Sequence, residues 1–157
     1  MSYIMLVFCR SSDSITREEI AEEIENGVFF ENTPLFDPPT GSEESRAQQW
    51  EDMSVRYADD RRPVVIGRSG PFPGIDEEIE EDFAGRKLDT ALLRRIVEAK
   101  QVFSLDVSKE SLTEEAWEMC DFVERFLAER LDGLVYAPGD GIFDANLQPL
   151  VRLGAAS

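Results

Sequence analysis

The chain has no histidine, and its only lysines are Lys87, Lys100 and Lys109. Without imidazole there is no Ser-His or Cys-His dyad, no His-ligated metal and no side chain with an ordinary pKa near neutrality. Cysteine is scarce as well. Cys9 falls in an apolar, strand-like run and Cys120 in a helix-like one. Apolar surroundings raise a thiol pKa and leave it unreactive, so both are read as reduced and buried. No apolar run approaches the roughly 20 residues that span a bilayer. The start, Met1-Ser2-Tyr3-Ile4, lacks the basic residues and long apolar core of a signal peptide. These absences point to a cytoplasmic protein.

Negative charge is abundant. The 157 residues carry 33 acidic and 16 basic side chains, a net charge of -17. Such a field repels nucleic acid and anionic membranes and attracts basic surfaces. It also repels itself, so the melting temperature is expected to rise in moderate salt. A salt titration of Tm checks this, and a flat response would show that self-repulsion does not limit stability. With 42% apolar residues the chain can still bury a core, and its length fits a single domain over 1–157.

Local signals mark most elements. Tyr3 to Cys9 is a nearly continuous apolar run, expected to be a central strand covered on both faces. Thr16 and Glu19 have capping-box spacing, flanked by Ile15 and Ile20 as a hydrophobic staple, and Asn26-Gly27 reads as a left-handed helix stop. Val28-Phe29-Phe30 is a doubtful strand. Residues 31–49 are rich in Pro, Asp, Gly and Ser and are expected to form a long mobile loop. Trp50 to Ala58 and Arg62 to Arg68 read as a hairpin. Two short helices follow, Asp76 to Ala84, stopped by Gly85, and one capped by Asp89. Gln101 to Val107 is strand-like. Thr113 to Arg130 has a broad apolar face carrying Trp117, Cys120, Val123 and Leu127, with either Ser111 or Thr113 as its cap. Asp132-Gly133 ends that helix, short strands close the chain, and 154–157 is a tail.

The order β-α-β-β-α-α-β-α-β-(β-β) predicts an α+β fold. The expected plan is a ferredoxin-like split β-α-β sheet with an added helix and C-terminal strands, its helices mainly on one face. A doubly wound parallel sheet is the alternative, and the hairpin argues against it.

No motif carries evident chemistry. Gly67 to Gly74 is glycine-rich but lacks the lysine-hydroxyl ending of a phosphate loop. Asp140-Gly141 with Asp144 and Asn146 faintly resembles a calcium loop, without its spacing or distal glutamate. No metal site, cofactor or catalytic residue is assigned. The densest feature is the acidic run Asp76 to Asp82. Glu77, Glu78, Glu80 and Glu81 are the candidate partner-binding residues, with Glu22 and Glu23 on the first helix as a second patch. If both helices lie on one side of the sheet, they form a coherent negative surface. The aromatics Phe29, Phe30, Phe36, Trp50, Phe72 and Phe83 lie in or beside loops, as satellite core or as anchors within a charged rim.

The segment Leu131-Asp132-Gly133-Leu134-Val135-Tyr136-Ala137-Pro138-Gly139-Asp140-Gly141-Ile142-Phe143-Asp144 follows the long amphipathic helix. This resembles the closing helix-strand unit of small bacterial ferredoxin-like proteins, some of which are similar to immunity proteins of polymorphic toxin systems. The pattern often has Asp before the proline, where this chain has Ala137. The resemblance covers about the final third and transfers no catalytic residue. The expected function is a non-enzymatic, acidic protein-binding domain of the immunity or inhibitor type, neutralising a partner that has a basic surface. A signalling adaptor for a small GTPase or kinase, and an enzyme working with carboxylates, are the alternatives.

Overall fold

Three of the helices begin at capping residues that the sequence signals. A computed structural model describes residues 2–70, 74–82 and 88–152. Helix α1 (Arg17–Gly27) starts at Thr16, whose hydroxyl accepts from the Glu19 amide while the Glu19 carboxylate accepts from the Thr16 amide. Asp89 caps α3 (Thr90–Val97) and Thr113 caps α4 (Glu114–Leu131). Asp132 then leaves α4 in the left-handed conformation, φ 54°. Helix α2 (Ile75–Asp82) is the short acidic one. Phe72, Phe83, Gly85 and the tail from 153 onward lie outside the described residues.

Two local expectations are corrected. Gly27 is not left-handed: α1 runs through it and Val28 caps the end in extended conformation, so no strand forms at 28–30. A Cβ on Gly27 would lie 2.1 Å from the Phe122 ring. Glycine is there because α1 and α4 approach closely, not because a turn needs it. Residues 31–49 contain a strand, β2 (Leu35–Asp37), and a run of turns tied to α1. Arg17 donates to the carbonyls of Glu44 (2.5 Å) and Asp52 (3.1 Å), and Glu18 accepts from the Gly41 amide (2.9 Å) and Ser45 hydroxyl (2.5 Å). Those tertiary partners make no local pattern.

The strands are β1 (Ser2–Cys9), β2, β3 (Asp52–Arg56), β4 (Val64–Ser69), β5 (Gln101–Ser108), β6 (Gly133–Ala137), β7 (Gly141–Phe143) and β8 (Pro149–Arg152). They form one eight-stranded sheet in the order β2-β3-β4-β5-β1-β6-β7-β8, and every pairing is antiparallel. The class is therefore α+β, and the parallel alternative is excluded. Strands β1 and β4 flank β5, while β5 and β6 flank β1.

The expectation that helices sit mainly on one face is overturned. Successive strand residues point to opposite faces. Met5, Val7, Phe103, Leu105 and Val135 pack with α1 and α4 in one core. Phe8, Val102, Leu134, Tyr136 and Ile142 pack with α2 and α3 in a second. The physical reason is coverage: central strands that are apolar at successive positions need a layer on each side. Among the described residues, helices α2 and α3 cover only part of their face. Ile4 of β1 remains 42% exposed there, and Leu6, Val65 and Ser104 are only half-buried.

Candidate functional site: a carboxylate-rimmed cleft

Helix α2 is held to the sheet by two apolar side chains and one carboxylate. Ile75 and Ile79, one turn apart, enter the second core. Asp82 accepts from the Tyr136 hydroxyl at 2.5 Å and from the Gly139 amide at 3.2 Å. Burial, then the Asp82 hydrogen bond and charge, raise the Tyr136 pKa, so the phenol stays protonated and keeps donating.

With α2 fixed this way, a cleft of about 910 Å³ opens between the helix and the uncovered half of the sheet. Ile4 and Leu6 form an apolar floor, and Glu78, Glu81 and Asp82 bring carboxylates to its edge. Its size falls in the range of sites that take a small ligand or a peptide side-chain cluster, about 300–1,000 Å³.

Of the residues singled out from the sequence, Glu78 and Glu81 line this cleft. Glu77 and Glu80 are exposed on the same helix without lining it. Glu22 and Glu23 are exposed on α1, which packs on the other side of the sheet. The single negative surface expected from two acidic helices therefore does not form; the two patches are separated by the sheet. Asp82, which anchors the cleft, was visible only as part of the acidic run. The aromatics divide: Trp50 is core, Phe30 and Phe36 are half-buried against it, and Phe29 is 82% exposed.

A second, smaller cavity of about 250 Å³ lies on the α1 and α4 side. It is lined by Glu124 and Asp121 of α4, Asp140 of the β6–β7 turn, and apolar walls that include Trp117 and Phe143. Glu124 is 3% exposed, and among the described residues its Oε1 has no hydrogen-bond partner. Burial, with the Asp121 charge beside it, pushes its carboxyl up to about 8, and burial also raises Asp121. Sequence reading missed Glu124. Its signal was an acid standing in the apolar stripe of α4, between Val123 and Leu127.

The remaining groups are quiet. Cys9 and Cys120 are free and buried, and burial pushes the Cys9 thiol up to about 12 and Cys120 higher still. Asp144 accepts from the amides of Asn146 and Gln148, both at 2.9 Å, which is turn chemistry. Among the described residues no three His, Cys, Asp or Glu side chains are grouped to hold a metal. No described helix is long and apolar enough to cross a membrane. Compared with known proteins, the chain matches no family model, no curated sequence and no solved structure.

Proposed function

We propose that this chain is a cytoplasmic, non-enzymatic protein-binding domain of the immunity or inhibitor type, engaging a basic partner at the α2 cleft. The supporting observation is the cleft's construction: Glu78, Glu81 and Asp82 stand over the apolar floor of Ile4 and Leu6. An apolar side chain of the partner would fill the floor while neighbouring Arg or Lys side chains meet the carboxylates. Opposite charges steer association and select the partner, and the apolar contact holds it. We also read the central strands β4-β5-β1-β6 as a ferredoxin-like core. Their order, with the crossovers α1 and α4 both packed into one core, supports that plan.

The test begins with a pull-down from native lysate, eluted in steps of rising salt. A stoichiometric basic protein released by salt is the expected result. Association kinetics then compare the double variant Glu78→Lys/Glu81→Lys with Glu22→Lys/Glu23→Lys. The first pair should slow association by about tenfold or more at low salt and flatten its salt dependence. The second pair, on the opposite side of the sheet, should do much less. Equal effects would reject the cleft as the docking site.

One observation favours a second reading, an enzyme working with carboxylates. Glu124 and Asp121 converge on one cavity with raised pKa values, the pattern of a general acid. Turnover that disappears in Glu124→Gln would establish it.

A further inference from the structure

We propose that the cavity between α4, β1 and the β6–β7 turn is a binding site for an alkyl ammonium or guanidinium group, with Glu124 as its counter-ion. This site lies across the sheet from the α2 cleft and does not rest on the reading of that cleft.

Glu124 is the first observation. It is almost wholly buried, it lines the cavity, and one carboxylate oxygen has no partner among the described residues. Among the described residues no Arg or Lys lies within ion-pair distance of it. A buried carboxyl without a partner weakens the fold, and an apolar residue would serve packing better. A bound cation supplies what is missing.

The surroundings are the second observation. The ionisable groups facing Glu124 are Cys120 and Asp121 on α4, Tyr3 on β1 and Asp140 on the turn. None of them brings positive charge. Tyr3 donates to the Pro138 carbonyl at 2.8 Å and to Asp140 at 3.4 Å, which fixes the turn at the cavity's edge. Two cations lie nearby without pairing to Glu124: Lys109 sits over the Tyr3 ring, 4.2 Å from its centroid, and the Arg125 charge partly offsets that of Asp121. The charged side chains that line the cavity, Asp121, Glu124 and Asp140, are all acidic. Met5, Trp117 and Phe143 give the walls an apolar character that suits an alkyl stem, and the indole can add a cation–π contact. The volume of about 250 Å³ is below that of most drug-sized sites, which suits one long side chain or a short amine.

Binding must be linked to protons. Empty, the Glu124 carboxyl is mostly protonated at neutral pH. A cation beside it favours the ionised form, so binding releases a proton. Affinity should rise with pH, by up to about tenfold per unit, and level off near pH 8.

The probes are n-butylammonium and n-propylguanidinium, with n-pentanol as the uncharged control. Calorimetry at neutral pH in two buffers of different ionisation enthalpy reads both binding and proton release. Saturable binding of either cation, release of nearly one proton, and weaker binding of the alcohol are expected. A carboxyl-carbon NMR titration should show Glu124 moving to lower pH when the cation is present. The variant Glu124→Gln should lose at least tenfold in affinity. Asp140→Asn, which leaves Glu124 in place, should lose several-fold and keep the proton release. A short peptide with one lysine distinguishes sources: tighter binding than n-butylammonium assigns the site to a partner's side chain, weaker binding to a free amine. No saturation by about 10 mM of either cation overturns the proposal. So does equal binding of the alcohol, or unchanged affinity in Glu124→Gln.

Discussion

Replacing Glu124 by glutamine is expected to make the protein more stable relative to wild type as pH rises from 5 to 8. The folded carboxyl has a pKa near 8, against an ordinary value of 4.5. Between those values the folded chain holds a proton that the unfolded chain has released. Stability of the wild type therefore falls with rising pH across that window and levels off above it. At about 1.4 kcal/mol per pKa unit, the total is on the order of 5 kcal/mol. Glutamine keeps the shape and cannot ionise. Its buried amide lacks partners, which costs roughly 1–3 kcal/mol at every pH. The slope is thus the diagnostic quantity. Urea unfolding of both proteins between pH 5 and 8.5 should show a gap that moves in favour of the variant by several kcal/mol. A gap independent of pH would mean that Glu124 ionises normally in the folded state.

Trp50→Ala should be among the most damaging single substitutions. Trp50 is 7% exposed, and its indole nitrogen donates to the Ile15 carbonyl at 2.6 Å. One neighbour is the Phe103 ring, 6.0 Å between centroids; another is the Arg17 guanidinium, 5.8 Å from the indole. Arg17 in turn holds the carbonyls of Glu44 and Asp52. Truncation opens a cavity, leaves the Ile15 carbonyl unpaired and loosens the side chain that ties the turns before β3 to α1. A loss of about 3–5 kcal/mol is expected. Trp50→Phe keeps most of the packing and loses the hydrogen bond, for roughly 1–2 kcal/mol. Chemical denaturation of both variants checks this. A loss below about 1 kcal/mol for alanine would show that the segment from 38 to 49 docks independently of the core.

The two candidate surfaces make separable demands on the chain. Glu78 and Glu81 sit in water and act through their charge, so the fold tolerates their replacement. Glu124 is enclosed, and its replacement changes stability, proton uptake and any cation affinity together. A stability gain accompanied by lost binding is the expected signature of a group kept for function.

What could be read in advance follows the range of each interaction. Thr16 with Glu19 and Asp89 with Ala91 act within about one helical turn, and the sequence determined them by itself; for α4 it fixed the end at Asp132-Gly133 and left Ser111 and Thr113 as caps, between which the fold chose Thr113. The hairpin of β3 and β4, the length of α4 and the α+β class follow from periodicity and turn residues in the same way. Tertiary structure alone decided the side each helix takes. A partial signal was present, since Leu134-Val135-Tyr136 and Leu6 to Cys9 are apolar at successive positions, but it does not say which helix covers which side. The separation of Glu22 and Glu23 from the α2 acids follows from that choice. Likewise, nothing near Gly27 in sequence names Phe122, and nothing near Arg17 names Glu44. Glu124 is the sharpest case. Its position in the apolar stripe of α4 was legible, yet its ionisation depends on α4 closing over β1 and the β6–β7 turn. Caps and periods are fixed by neighbours along the chain, whereas burial and charge environment are set by residues that only the folded chain brings together.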